Sequence, residues 1–185
     1  MTDILPVIHG KRVMLREFTE EDWTSVHAYA SQEIACQYQP WGPNTEKDSQ
    51  LYVKQIIEDT KKNPRTRFAF AVIKNDSNEM IGTGELNIHS LHHKNAEIAY
   101  IINPAFWGNG YATEVADLLI QFGFANLGLH RIFATCDPRN VASAKVLRKV
   151  GMTFEGTLRE NLLIRDGWRD SSLFSVIRHE WLLSK

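Results

Sequence analysis

Residues 95–115 constrain the fold more than any other stretch of the chain. Asn95-Ala96-Glu97 leads into an apolar run, Ile98 to Ile102, that reads as a buried strand. Asn103-Pro104 stops it, a short loop carries Gly108 and Gly110, and a helical pattern starts near Tyr111 and runs toward Leu127. A strand feeding a glycine-bearing turn and then a helix forms an anion-binding device. The first-turn N–H groups have no internal partners, and the macrodipole adds partial positive charge there. Glycine lets the backbone approach a ligand with no Cβ in the way. No lysine or arginine lies between Lys94 and Arg131, so an anion here would be held by backbone amides.

Two familiar anions are excluded by spacing. A nucleotide P-loop needs Gly-Lys-Ser/Thr after its glycines, whereas Gly110 is followed by Tyr111-Ala112-Thr113. A dinucleotide fingerprint needs a third glycine where Thr113 stands. Spacing alone leaves open a diphosphate-bearing cosubstrate and a plain strand-to-helix turn.

The segment Pro104-Ala105-Phe106-Trp107-Gly108-Asn109-Gly110-Tyr111-Ala112-Thr113-Glu114 resembles the acetyl-CoA motif of the GNAT superfamily of N-acetyltransferases. Within it, the chain is most similar to the branch of ribosomal-protein N-terminal (alanine/serine) acetyltransferases. A second motif agrees: Asn140-Val141-Ala142-Ser143, then Val146 to Met152 through Gly151, where the family shows Asn-x-x-Ser, a helix and Gly-Phe. The resemblance spans roughly residues 10–180. It implies an α/β fold with a central mixed, mostly antiparallel twisted sheet of about seven strands, flanked by helices. It also implies a central strand that splays from its neighbour near Ile101–Ile102. The cosubstrate implied is acetyl-CoA, bound by Ile101, Ile102, residues Trp107 to Thr113 and Asn140. The acceptor implied is a primary amine.

The order of elements suits that layout. Lys11 to Phe18 alternates as a strand, and Thr19-Glu20-Glu21-Asp22 is an acid-rich helix start with Trp23, Val26 and Tyr29 or Ala30 inward. Pro40-Trp41-Gly42-Pro43 breaks the chain into a loop before a second helix at 46–62. In the family resembled, this region overhangs the acceptor, so Trp41 either lines the amine pocket or anchors the loop on the core. Strands follow at Arg67–Lys74 and Met80–His89, the latter weakened or bulged at Gly82 and Gly84. After the central strand and helix, Gly128 is a C-cap, and His130–Asp137 is a strand. A short helix follows Asn140. Met152–Leu163 and Trp168–Ile177 pair across an Asp166-Gly167 hairpin turn, and 178–185 is a tail.

Composition bounds the rest. The 185 residues suit one domain, residues 1–185, with 43% hydrophobic and 23% charged residues. A net charge of −1 lacks the basic surplus of a nucleic-acid binder. No apolar run approaches a membrane span, and residues 1–6 carry no leader pattern. Cys36 and Cys136 have no metal or redox spacing and read as reduced thiols of a cytoplasmic protein. His92 and His93, with His89 nearby, read as solvated loop residues, and no metal is expected. The protein is expected to be a monomer or homodimer.

Chemistry narrows the catalytic candidates. The attacking amine must be neutral, which an α-amine with a pKa of about 7.7–8.0 achieves far more readily than an ε-amine at about 10.4. Glu97, on the strand face shared with Ala99 and Ile101, is the first candidate base, and Glu85 the second. The leaving thiolate needs a proton. Many superfamily members carry a tyrosine on the short helix where this chain has Leu147. The ribosomal-protein branch instead implies Ser143 as the acid; the plain alternative is a helix-start serine. Lys145, Arg148 and Lys149 meet either the 3′-phosphate of CoA or only solvent. The acceptor is a protein N-terminus or a small amine such as an antibiotic, polyamine or amino acid. A non-catalytic acyl-CoA-binding module is the alternative from another class.

Overall fold

The computed structural model describes residue 5 and residues 7–183. The leader expectation falls mainly on residues 1–4 and 6, outside the described ones. All strands join one open sheet: β1 (Ile8–His9), β2 (Val13–Arg16), β3 (Arg67–Lys74), β4 (Met80–Ser90), β5 (Asn95–Ile102), β6 (Arg131–Cys136), β7 (Thr153–Ile164) and β8 (Gly167–Ile177). Their order is β1-β2-β3-β4-β5-β6-β8-β7. Every neighbouring pair is antiparallel except β5 and β6, which are parallel. The sheet therefore has eight strands where about seven were expected. The extra one is the two-residue β1, too short for an alternation to be read.

The alternation of β3 sets the two layers. Phe68, Phe70 and Val72 point into a core shared with helix α4 (Tyr111–Gln121), whose Val115, Ala116, Leu119 and Ile120 are fully buried. Ala69, Ala71 and Ile73 point the other way, against helices α1 (Trp23–Ala30) and α3 (Glu46–Asp59). Each of the Phe, Val, Leu and Ile side chains among these contributes about 1.5–3 kcal/mol by leaving water, so the sheet is held from both faces. Thr45 caps α3 through a reciprocal pair with Asp48. Between α1 and α3 lies a helical turn, α2 (Glu33–Cys36), that the sequence pattern did not reveal. Helix α3 ends at Asp59, three residues before the expected end. The second motif forms helix α5 (Val141–Lys149), and the expected tail instead winds into helix α6 (Arg178–Leu183).

Helix α4 reaches the sheet where side chains are missing. A methyl group at Gly84 would lie 2.9 Å from Val115 Cγ1, so β4 admits the helix there. The β4 bulge expected at the glycines is present against β3, where Ile81 is extra between Met80 and Gly82, and a second irregularity falls beyond Ile88 against β5. After Gln121 the helix widens into a π turn over Phe122–Asn126 and ends before Gly128, at φ +61°. A methyl at Gly123 would lie 2.6 Å from Ile132 Cδ1 and 2.9 Å from Leu86 Cδ1. Gly123→Ala is therefore expected to lower unfolding free energy by up to about 2 kcal/mol. That is the overpacking cost partly offset by alanine's helix preference of about 1 kcal/mol. Urea denaturation measures it; an unchanged midpoint would show that the two side chains give way freely.

The feature that positions the site is the short β5–β6 ladder. Only Asn95, Ala96 and Glu97 pair with Arg131, Ile132 and Phe133. Beyond Glu97, β5 stays with β4 as far as Ile102, while β6 stays with β8 as far as Cys136. The expected splay is present, but it opens at Ile98, earlier than Ile101–Ile102.

Candidate active site

The loop from β5 to α4 is tied down through its carbonyls and leaves its amides free from Gly108 onward; those of Ala105, Phe106 and Trp107 are used within the loop, so the Trp107 amide does not join the expected donors. Trp107 Nε1 donates to the Ile102 carbonyl at 2.7 Å, and Asn109 Nδ2 donates to the carbonyls of Phe106 and Trp107, both at 3.1 Å. Arg12, arriving from the start of β2, donates to the carbonyls of Asn109 (2.6 Å) and Gly110 (3.3 Å). Gly108 and Gly110 both sit at φ +79°, a conformation side-chain-bearing residues rarely adopt. A Cβ at Gly108 would meet nothing, so open space lies over the turn. Among the described residues, no backbone N–H from Gly108 to Thr113 donates to a protein acceptor. Six consecutive unpaired donors at a helix start, with open space over Gly108, fit a diphosphate.

The gap between β5 and β6 offers a strand edge. The Asn103 N–H donates to the Ile81 carbonyl at 2.8 Å, so Ile102 and Gly82 form a wide, non-hydrogen-bonded pair. Alternation then turns the backbone groups of Ile98, Tyr100 and Ile102 toward β6, where the ladder has ended. Ile102 is placed as expected for an amide facing the cosubstrate. Ile101 is not: its backbone faces Thr83 on β4, and its side chain lines a neighbouring cavity instead.

That cavity, of about 460 Å³, lies between α1, α3 and strands β4 and β5. Its walls include Val26, Tyr29, Leu51, Tyr52 and Ile101, with Trp41 from the overhanging loop. Trp41 is thus a cavity wall. Arg169 of β8 holds that loop through the Tyr38 carbonyl at 2.7 Å. Two carboxylates reach the cavity, and both have partners. Glu85 accepts from Tyr52 Oη at 2.6 Å and from Arg67 Nε and Nη2, both at 2.9 Å. Arg67 is shared with Asp59, which also pairs with Lys62. Asp48 is the α3 capping residue and accepts from the Thr45 N–H and hydroxyl. Burial pushes the Tyr29, Tyr52 and Tyr100 hydroxyls upward, so all three stay protonated at neutral pH.

Glu97 keeps to the expected strand face but does not line the cavity. One oxygen accepts from the Thr135 hydroxyl at 2.8 Å and the other lies 3.3 Å from His89 Nε2. Its side chain bridges β5 to β6 at the last paired position. Glu85, the second candidate, is the carboxylate that does reach the cavity.

Ser143 sits opposite, in the first turn of α5. Asn140 caps that helix by accepting from the Ser143 N–H at 3.0 Å. The Ser143 hydroxyl lies 3.0 Å from Tyr100 Oη. Tyr100, whose side chain lies on the α4 face of β5, also borders the cavity, and its hydroxyl pair with Ser143 joins β5 to α5 across the gap. Cys136, the last residue of β6, is a buried free thiol; burial raises its pKa, against a smaller opposing hydrogen bond from Ser143. Leu147, at 1% exposure, is core. The sequence pattern missed Tyr100, because a tyrosine inside an apolar run reads as strand filler. It missed Arg12 because that residue precedes the loop by about a hundred positions.

Comparison with known proteins accords with this arrangement. A sequence profile for the acetyltransferase (GNAT) domain matches residues 12–153. The N-acetyltransferase YnaD of Bacillus subtilis is 32% identical over 179 residues, covering 94% of this chain and 98% of that protein. The spermidine N(1)-acetyltransferase of Escherichia coli K12 is 29% identical over 181 residues, covering 96% of this chain and 91% of that one. The crystal structure of a ribosomal-protein-S5-alanine acetyltransferase from Vibrio fischeri superposes with a TM-score of 0.78 at 25% identity, covering 96% of this chain and 99% of that one.

Proposed function

We propose, from the premise that the chain belongs to the GNAT acetyltransferase family, that it acetylates an α-amine, with a protein N-terminus as the acceptor. Acetyl-CoA is the cosubstrate of such an enzyme, and it supplies an activated acetyl group as a thioester. The free amides of residues 108–113 hold its diphosphate, and the β5 edge at Tyr100 and Ile102 takes the extended arm as an added strand. The Ile102 N–H, turned into the gap, is the donor for the oxygen on which charge develops. Ser143 gives its proton to the departing thiolate, with the Tyr100 hydroxyl hydrogen-bonded to the serine oxygen; the proton shed by the acetylated amine passes through solvent and restores Ser143, so Tyr100 keeps its own.

The observation that carries the acceptor class is the absence, among the described residues, of a spare carboxylate around the cavity. Glu85 and Asp48 both have protein partners, and Glu97 is held by Thr135 and His89 outside it. An acceptor without a dedicated base must arrive neutral. Near pH 7.5, about a quarter to two fifths of an α-amine is neutral, against about 0.1% of an ε-type amine. The same pairing leaves little to hold the second and third ammonium groups of a polyamine. The ribosomal-protein neighbour fits this reading better than the spermidine relative. The half-open, aromatic-walled cavity favours one second reading, a small free monoamine with an apolar body. The free, buried thiols of Cys36 and Cys136 support a cytoplasmic setting.

An acceptor panel at pH 7.5 tests this. Thiol release from acetyl-CoA would be followed with an N-terminally free peptide, a phenylalanine amide and spermidine. The expected result is turnover of the α-amines with kcat/KM at least tenfold above that for spermidine. A preference for spermidine would overturn the α-amine assignment. A preference for the amide over the peptide would select the small-monoamine reading. Folded protein that binds acetyl-CoA but releases no thiol with any acceptor would support the non-catalytic module.

A further inference from the structure

We infer that Arg12 is a positioning residue for the cosubstrate: its guanidinium holds the loop carbonyls of Asn109 and Gly110 and so aims the following amides outward. The inference rests on the reading that residues 108–113 take the diphosphate of acetyl-CoA. The argument is peptide geometry. In a trans peptide the C=O and the next N–H point in opposite directions. The Asn109 carbonyl lies 2.6 Å from Arg12 Nη1, so the Gly110 N–H points away from Arg12. The Gly110 carbonyl lies 3.3 Å from Arg12 Nη2, so the Tyr111 N–H points away as well. A planar fork fixes two adjacent peptides at once, which a lysine ammonium on a flexible stem does not.

Arg12 is itself fixed by Glu114, in the first turn of α4. Arg12 Nε donates to Glu114 Oε2 at 2.8 Å, and Glu114 Oε1 accepts the Arg12 and Val13 N–H groups at 2.7 and 3.3 Å. Glu114 therefore bolts the start of α4 to the edge of β2. Burial would raise its pKa, but the Arg12 amide, the guanidinium and the Val13 amide outweigh it and hold it below the usual carboxylate range. Gly10 makes the contact possible, since a Cβ there would lie 2.7 Å from Glu114 Oε1. The guanidinium also lies 5.2 Å from the Tyr111 ring centroid. Arg12 and Glu114 cancel in charge, so the pair acts on an anion through the direction of the amides. Half of the Arg12 side chain is exposed, and exposed ion pairs add little to stability. Its loss is expected to spare the fold.

The test is equilibrium titration of wild type, Arg12→Ala and Arg12→Lys with acetyl-CoA and with S-acetylpantetheine, which lacks the diphosphate. Thermal unfolding is recorded in parallel. The expected result is that both variants bind acetyl-CoA about tenfold more weakly and S-acetylpantetheine within twofold of wild type, with unfolding midpoints nearly unchanged. Wild-type acetyl-CoA affinity in both variants would overturn the role of Arg12. So would a parallel loss for both ligands, which would mark general damage. Full rescue by Arg12→Lys would overturn the two-peptide fork and leave only charge. A wild-type protein that binds both ligands equally would overturn the diphosphate reading itself, separately from any effect of the variants.

Discussion

Gly110→Val is expected to weaken acetyl-CoA binding at least a hundredfold while leaving the protein folded. Gly110 caps α4 at φ +79°. A β-branched residue is a genuine outlier in that region, and the strain is about 1–3 kcal/mol. The loop is exposed and relieves the strain by rotating its peptides, which re-aims the Gly110 and Tyr111 amides. A hydrogen bond to a charged group contributes about 1.5–3 kcal/mol. Two such bonds lost amount to about 3–6 kcal/mol, or two to four orders of magnitude in affinity. Gly128→Val is the matched control. Gly128 also has positive φ, at +61°, with nothing near a Cβ where Gly110 has the Arg12 guanidinium at 3.4 Å, but lies at the far end of the same helical segment. It is expected to show similar strain on unfolding and unchanged acetyl-CoA affinity. Isothermal titration reads both; retained affinity in Gly110→Val would show that the turn is structural.

Ser143→Ala is expected to lower kcat about a hundredfold and to change acetyl-CoA affinity less than threefold. General acid catalysis by a placed side chain contributes roughly 10²–10⁴-fold. The helix should tolerate the change, because alanine is a good helix former and the Asn140 cap uses the Ser143 backbone. Tyr100→Phe keeps the serine but removes its hydroxyl partner 3.0 Å away; its kcat is expected to fall about tenfold. Single-turnover rates alongside binding separate the two effects. Wild-type turnover in Ser143→Ala would assign the thiolate's proton to solvent.

What the sequence revealed follows from how far apart in the chain the cooperating groups lie. The glycine turn and the Asn140–Ser143 motif were readable because each is local. Its strand, turn and cap signals fall within about twenty residues. The alternation in β3 gave both layers of the core for the same reason. Tertiary partnerships were not readable. Glu85 looked like a free carboxylate until Arg67 and Tyr52, from β3 and α3, were brought to it. Glu97 lay on the right face, but its neighbours Thr135 and His89 come from β6 and the end of β4. Ile101 was one residue out of phase, because hydrogen-bond alternation depends on which β4 residue it opposes, and side-chain pattern does not record that. Arg12 and Tyr100 carry no local signal at all.

On the proposed reading, the two substrates of this protein are recognised in different alphabets. The amides assigned to acetyl-CoA belong to every residue type except proline, so the loop retains its donors through any substitution that keeps the backbone course. The acceptor cavity is spelled in side chains: Trp41, Leu51 and Tyr52 form its walls from α3 and the loop before it. A chain built this way can drift or be redesigned toward a new acceptor by changing a few wall residues, with no compensating change at Gly108 or Gly110. Relatives that share about three residues in ten can thus keep one acyl donor and part company over what they acylate.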